Sequence, residues 1–295
     1  MSSGSFAALL KLVRPHQWVK NVFVAAPLVF ARHLADWEYV VRTGLAMLAF
    51  CALSGAVYAF NDVRDAEADR AHPTKRNRPI AAGKISERTG LVIAVVLAAA
   101  ALVGCALLHW KVAAFAAAYL IQNILYSIKL KQVAFLDVGL IASGFLLRVL
   151  AGAAAIGVRT SGWVLLCTAL LAMLLGFGKR AHELAWAERS GQAATTRAAL
   201  AGYRLSILRP ALLVLAVATV VTYAAYTLAP HTRAAFQTDY LVISSPFVAL
   251  GIARYLTLAL WRPKDESPTE AMLRDPLFLI VLAATVGTIL YLIYV

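Results

Sequence analysis

The stretch Asn61-Asp62-Val63-Arg64-Asp65-Ala66-Glu67-Ala68-Asp69-Arg70 follows an uncharged apolar run, residues 43–60, and leads into Lys75-Arg76-Asn77-Arg78. Four of the fifteen acidic residues of the chain fall within these ten positions. On a continuing helix Asn61, Asp65 and Asp69 recur at i, i+4 and i+8 and drift only about 80° around the axis, with Asp62 at the edge of the stripe. Oxygen-bearing side chains crowded on one face repel one another without a cation between them. Hard oxygen donors of this kind suit Mg²⁺, which keeps waters and bridges to substrate phosphates. A solvated helix end is the plain alternative, and the cluster alone leaves it open.

The rest of the chain narrows the choice. The 295 residues are 61% hydrophobic, with a mean hydropathy of +0.74, a composition of membrane spans rather than of a soluble domain. Cys51, Cys105 and Cys167 each sit inside an apolar run and are expected to be buried thiols. The N-terminus does not read as a signal peptide, because Lys11, Arg14 and Lys20 interrupt its apolar material. No linker divides the chain, so a single polytopic membrane domain, 1–295, is expected, with polar segments at 61–90 and 179–209.

Nine candidate spans run roughly over 18–33, 43–60, 91–109, 112–128, 134–156, 162–178, 210–229, 240–260 and 276–294. The first is the weakest, with Lys20, Asn21 and Pro27 inside it. The eighth is expected to bend at Ser244-Ser245-Pro246. With a cytoplasmic N-terminus, only Arg32, Arg42, Lys111, Arg159 and Arg233 fall on the far side; Arg148 and Arg254 lie within spans, and the other 21 of the 28 Lys and Arg residues face the cytoplasm. That asymmetry is a strong positive-inside signal. It accounts for part of the +13 net charge and, with the bases dispersed among short segments, argues against a nucleic-acid partner.

Orientation does not explain why acids join the bases in the same segment. An acidic face beside a basic run is the combination that holds and neutralises a Mg²⁺–diphosphate leaving group. The second polar segment opens with Gly178-Lys179-Arg180-Ala181-His182-Glu183, where Lys179 and Glu183 are i, i+4 neighbours on a continuing helix. Asp137 and Arg148 lie about 16 Å apart along one span, too far for a direct pair. Ionisable groups at membrane depth face an interior or a polar cavity. Asp137 could line a cavity floor and Arg148 could serve structure or a lipid phosphate; the sequence leaves both roles open.

The run Asn61-Asp62-x-x-Asp65-x-x-x-Asp69 after the second span resembles the first aspartate-rich motif of the UbiA superfamily of intramembrane prenyltransferases. Three stretches, Arg14-Pro15-His16-Gln17-Trp18-Val19-Lys20-Asn21, the extended 61–83 segment, and Gly178-Lys179-Arg180-Ala181-His182-Glu183-Leu184, resemble the decaprenyl-phosphate phosphoribosyltransferases within it. The resemblance implies an all-α integral membrane protein of about nine transmembrane helices in a ring around a central cavity, with the N-terminus cytoplasmic. The location implied is a bacterial inner membrane, with the active site facing the cytoplasm. It also implies 5-phosphoribosyl 1-diphosphate as donor, a polyprenyl phosphate as acceptor, Mg²⁺ as cofactor, and a product serving lipid-linked arabinose and cell-wall synthesis.

Carried onto this chain, the metal ligands are Asn61, Asp62, Asp65 and Asp69, and the catalytic residues Asp65, Asp69 and Lys20. Substrate is expected at Gln17, Asn21, Lys75, Arg76, Arg78, Tyr126, Lys131, Lys179, Arg180 and Glu183. Aromatic prenyltransferases of the superfamily carry a second acidic motif after span six, where this chain has Lys179-Arg180-Ala181-His182-Glu183. Bases in place of acids suit two polyanionic substrates. The alternatives are a 4-hydroxybenzoate-type prenyltransferase, which needs that second carboxylate pair, and a transporter, which would place coupling charges near the midplane. Gly139, Gly144, Gly152 and Gly157 permit close helix packing within one chain or in a homo-oligomer.

Overall fold

The computed structural model describes residues 3–72, 74–190, 198–261 and 268–295. Arg197, Arg262 and Lys264, counted above among the cytoplasmic charges, lie outside the described residues. In chain order the α-helices are α1 (Ser3–Val13), α2 (Ala26–Phe30), α3 (Trp37–Arg64), α4 (Ala66–Arg70), α5 (Glu87–Leu108), α6 (Trp110–Ile128), α7 (Leu136–Ala155), α8 (Gly162–Ser190), α9 (Leu205–Leu228), α10 (Pro230–Phe236), α11 (Ser245–Leu256), α12 (Pro268–Arg274) and α13 (Pro276–Tyr294). Among the described residues there is no strand. The chain is an all-α, multi-pass membrane protein.

Among the described residues eight helical segments are long and apolar enough to cross a bilayer: Trp37–Arg64, Glu87–Leu108, Trp110–Ile128, Leu136–Ala155, Gly162–Arg189, Leu205–Leu228, Tyr240–Trp261 and Pro276–Tyr294. They coincide with the second to ninth expected spans. The first expected span differs, being a 3₁₀-helix, Pro15–Ala25, followed by the five-residue α2. Part of the reason is local: Pro27 withholds the amide donor that a continuous α-helix over 18–33 would need at that point. The bend at Ser244–Pro246 is present, as a 3₁₀ turn Tyr240–Ser244 before α11. Apolar side chains point outward over whole helix faces, as α5 does with Leu91, Val92, Val95, Val96, Val103 and Leu107. Such a face suits lipid and would not suit water.

The residues form two compact units, 1–128 with 147–160, and 129–146 with 161–295. Unit 1 packs Phe50, Leu53 and Val57 of α3 against Ala101 and Cys105 of α5, Val112, Ala116 and Tyr119 of α6 and Ala151 and Ala155 of α7. Cys51 and Cys105 are buried free thiols and Cys167 is half-buried. In unit 2 the core joins Leu174, Ala181 and Ala185 of α8 to Leu208, Leu212 and Ala216 of α9 and Ile252, Tyr255 and Leu256 of α11. Arg254 donates through Nε and Nη2 to Asp275 at 3.0 and 2.7 Å, and Asp275 also accepts the Phe278 N–H at 2.8 Å, capping α13.

Gly178 sits where a methyl group cannot. A Cβ there would lie 2.2 Å from the Tyr255 hydroxyl and 2.8 Å from its ring. That hydroxyl donates to the Leu175 carbonyl at 2.9 Å on a side chain 2% exposed. Gly178→Ala is therefore expected to destabilise the protein by about 1–3 kcal/mol through overpacking. Thermal unfolding in detergent checks this, and an unchanged midpoint would contradict it.

Candidate active site

The acidic stretch begins on the last turn of α3 and continues past a break. Asp65 leaves the helix at φ −94°, ψ 7°, and α4 restarts at Ala66. The i to i−4 spacing survives the break: the Asp65 N–H donates to the Asn61 carbonyl at 2.9 Å and the Asp69 N–H to the Asp65 carbonyl at 2.8 Å. Asn61, Asp65 and Asp69 therefore remain stacked one above another. Asp62 and Asp69 are buried, at 1% and 3% exposure, while Asn61 and Asp65 are half-buried.

Two arginines neutralise this face. Arg14 is ion-paired to Asp62 Oδ1. The Arg78 Nη1 donates to Asp69 Oδ2 at 2.7 Å and lies 3.4 Å from Asp62 Oδ1. Arg14 holds a left-handed backbone, φ 52°, ψ 64°, directly before Pro15, which disfavours the right-handed helical region for its predecessor. Its guanidinium stacks 4.9 Å over the Tyr58 ring. Burial lowers the Arg14 pKa from its ordinary value and Asp62 opposes the change. Arg14 belonged to a quoted motif, yet its role as the counter-ion of Asp62 was not legible: 48 residues separate the pair.

The loop after α4 is pinned by Ile80, 1% exposed. Gly90 of α5 makes room for it, since a Cβ there would lie 2.5 Å from Ile80 Cδ1 and 2.9 Å from Val63 Cγ2. This anchor sets Lys75, half-buried, and Arg76, exposed, on the 3₁₀ turn Lys75–Asn77 beside Arg78. His72 Nδ1 accepts the Thr74 and Lys75 N–H groups at 3.3 and 3.4 Å, a structural use. On the 3₁₀-helix Pro15–Ala25, Lys20 Nζ donates to Gln17 Oε1 at 2.7 Å. Tyr126 is half-buried on the last turn of α6. Unit 1 thus brings together Gln17 with Lys20, and Asp62 and Asp69 with Arg78.

Two residues of unit 1 expected on substrate have protein partners in this structure. Arg78, expected on a phosphate, is shared between two carboxylates, because the crowded acids draw the nearest cation. Asn21, expected on substrate, is 0% exposed. Its Oδ1 accepts from Arg148 Nε at 2.8 Å, and its Nδ2 donates toward Cys51 Sγ and Ser54 Oγ at 3.3 and 3.4 Å. A deep arginine in a span needs an acceptor, and Asn21 supplies it.

In unit 2 Arg180 likewise has protein partners. Expected on a phosphate or ribose, it is 1% exposed, with Nε 3.2 Å from Asp137 Oδ2 and an ion pair to Glu183. Tyr203 completes the cluster: its hydroxyl donates to Asp137 Oδ1 at 2.6 Å and accepts the Phe135 N–H at 2.6 Å. Burial, and then the bond to Asp137, raise the Tyr203 pKa, so the phenol keeps its proton. Nothing in the sequence singled out Tyr203, a tyrosine near a span end like several others. Lys131 and Lys179 are half-buried. His182 is buried and its Nδ1 lies 3.2 Å from the Ala259 carbonyl.

Among the described residues no three His, Cys, Asp or Glu side chains stand close enough to hold a metal as they are. The donors themselves fit a hard divalent cation: they are carboxylates and an amide, all oxygen. Asp62 Oδ2 is buried and has no hydrogen-bond partner among the described residues, an orphan that a cation would satisfy.

A membrane fold of this kind, with an Asn-Asp-x-x-Asp-x-x-x-Asp face at a helix end, defines a class. The profile of the UbiA prenyltransferase family matches residues 21–282, and the chain belongs to that family. It is 37% identical to the decaprenyl-phosphate phosphoribosyltransferase of Mycolicibacterium smegmatis, over 98% of this chain and 93% of that one. With the enzyme of the same name from Corynebacterium glutamicum the identity is 33%, over 97% and 87% of the two chains. The solved UbiA homolog from Archaeoglobus fulgidus bound to GPP and Mg²⁺ superimposes with a TM-score of 0.71 at 19% identity, covering 98% of this chain and 100% of that one. A second structure of a UbiA homolog from that organism, bound to Cd²⁺, gives 0.67 at 18% identity, covering 98% and 100%.

Proposed function

We propose that this protein transfers 5-phosphoribose from 5-phosphoribosyl 1-diphosphate to a polyprenyl phosphate of the decaprenyl type, releasing diphosphate. Near-full-length similarity to enzymes named for that phosphoribosyl transfer supports the reading. The observation in the structure that carries it is the α8 cluster. Where aromatic prenyltransferases of the family need a second carboxylate pair, Glu183 is committed to Arg180 and Arg180 to Asp137. Among the described residues of α8 that arrangement leaves no acidic pair of the kind a second metal-binding motif needs. The substrate polarity is therefore inverted: the sugar carries the diphosphate and the lipid carries the nucleophile.

Asn61, Asp62, Asp65 and Asp69 would hold a divalent cation, Mg²⁺ in this reading. When bound, it supplies charge neutralisation to the departing diphosphate. Arg78 exchanges its two carboxylate partners for diphosphate oxygens, for which the guanidinium fork is well shaped. Lys75 and Arg76 add positive charge beside it, and Lys20, oriented by Gln17, contributes a point charge from the 3₁₀ segment. The bond between ribose C1 and the diphosphate oxygen breaks, and a lipid-phosphate oxygen forms the new bond to C1 from the opposite face. That oxygen is anionic at neutral pH, so no general base is required. Positioning and electrostatic stabilisation do the work. The excess of Lys and Arg on one side of the membrane supports a site at the cytoplasmic face of a bacterial inner membrane.

The test uses purified protein with ribose-labelled phosphoribosyl diphosphate, Mg²⁺ and a polyprenyl phosphate. Label is expected in the lipid extract, lost with a chelator and restored by added Mg²⁺. Prenyl transfer to an aromatic acid, with no lipid-extractable ribose label, would overturn the reading.

A further inference from the structure

The 3₁₀-helix Pro15–Ala25 is eleven residues long, whereas such helices rarely persist beyond three or four because their hydrogen bonds are poorly aligned. Something outside must hold it. Of its eleven residues only Asn21 and Val24 are buried; Asn21 reaches Cys51 and Ser54 of α3 through Nδ2, and both residues also meet one face of α7. Arg148 donates to Asn21 Oδ1 at 2.8 Å. Gly152, one turn further along, lies so close to Val24 that a Cβ on it would sit 1.9 Å from the Val24 carbonyl oxygen. Arg148 is itself fixed by Tyr119, whose hydroxyl accepts from Nη2 at 2.8 Å and whose ring lies 4.6 Å from the guanidinium carbon. An arginine 6% exposed in a helix long and apolar enough to span is costly to bury. Docking this segment gives that cost a purpose.

The register explains what the docking presents. With three residues per turn, side chains at i and i+3 eclipse. Asn21 and Val24 therefore form one ridge, against α7, and Gln17 and Lys20 form another about 120° away. Lys20 Nζ donates to Gln17 Oε1 along that second ridge, at 2.7 Å. In an α-helix the same two residues would diverge by about 60°.

We propose that Arg148 and Gly152 are positioning residues for the transfer: by docking Asn21 and Val24 they keep residues 15–25 in 3₁₀ register and aim Lys20 and Gln17 at the donor. The inference rests on the donor-side role of Lys20 and Gln17 given above. Its docking part is measurable without turnover. Hydrogen exchange of the full chain in detergent should show faster exchange in 15–25, by about tenfold or more, in Arg148→Met and in Gly152→Ala, because a buried charged hydrogen bond or a close backbone contact is lost. Protection across 37–60 should stay as in the parent. Asn21→Asp keeps the acceptor for Arg148 and should retain protection, whereas Asn21→Leu should lose it. In the labelled-ribose assay both α7 variants should raise the donor KM by about tenfold, with the acceptor KM unchanged. Unchanged exchange in 15–25, or loss of protection across 37–60 as well, overturns the inference. Faster exchange with an unaltered donor KM overturns its positioning part. If the parent protein transfers no ribose label, the functional reading falls, and the exchange data alone decide the docking.

Discussion

Asp65→Ala is expected to lower lipid-extractable ribose label by about a hundred- to a thousandfold, the range seen when one preorganised charge contact to a reacting group is removed. Asp65 stands at the break between α3 and α4, half-buried and stacked by i, i+4 spacing between Asn61 and Asp69. Its loss removes one of three carboxylates from the cation-binding face. Asp65→Asn keeps the shape and one oxygen donor but not the charge, and should fall between the two. The ion pairs of Arg14 with Asp62 and of Arg78 with Asp69 do not involve the substituted side chain. Turnover with the parent and both variants, alongside their unfolding midpoints, separates the outcomes. Parent-like turnover in Asp65→Ala would remove this face from the chemistry.

The second large effect is on stability. Arg180→Met leaves Asp137, 0% exposed, without its cation inside unit 2, and stranding a buried charge costs about 3–5 kcal/mol. The Tyr203 hydroxyl still donates to Asp137 Oδ1, which softens the loss without neutralising it. Removing both charges, as Arg180→Met with Asp137→Leu, should recover most of the stability, since a buried pair replaced by apolar groups is often neutral. Chemical unfolding in detergent reads both proteins. If Arg180→Met unfolds like the parent yet fails to turn over, Arg180 acts on substrate and its structural assignment is wrong.

Much of this protein was legible along the chain. Apolar runs from residue 43 onward marked the helices that are long and apolar enough to span, because a helix that must satisfy its own backbone in lipid leaves a long uncharged signature. The break at Ser244–Pro246 was equally local. The segment 18–33 was not: its apolar residues read as a span, while Pro27 interrupts the helix and contacts with α3 and α7 hold 15–25. The acidic face was visible as spacing, since i, i+4 stacking survives the turn at Asp65.

Sequence by itself determined the class of chain, the order of its spans, and which residues could offer oxygen or positive charge to a polyanion. Tertiary structure decided which of those residues are already spoken for. Asn21 is held by Arg148, Arg180 by Asp137 and Glu183, and Arg78 by Asp62 and Asp69. The reason is physical. A buried charge or amide must find a partner wherever the fold provides one, and those partners lie up to 127 residues away, beyond the reach of any local pattern. The stretch 61–70 names the ligands, and only the folded chain shows that arginines from residues 14 and 78 hold two of them.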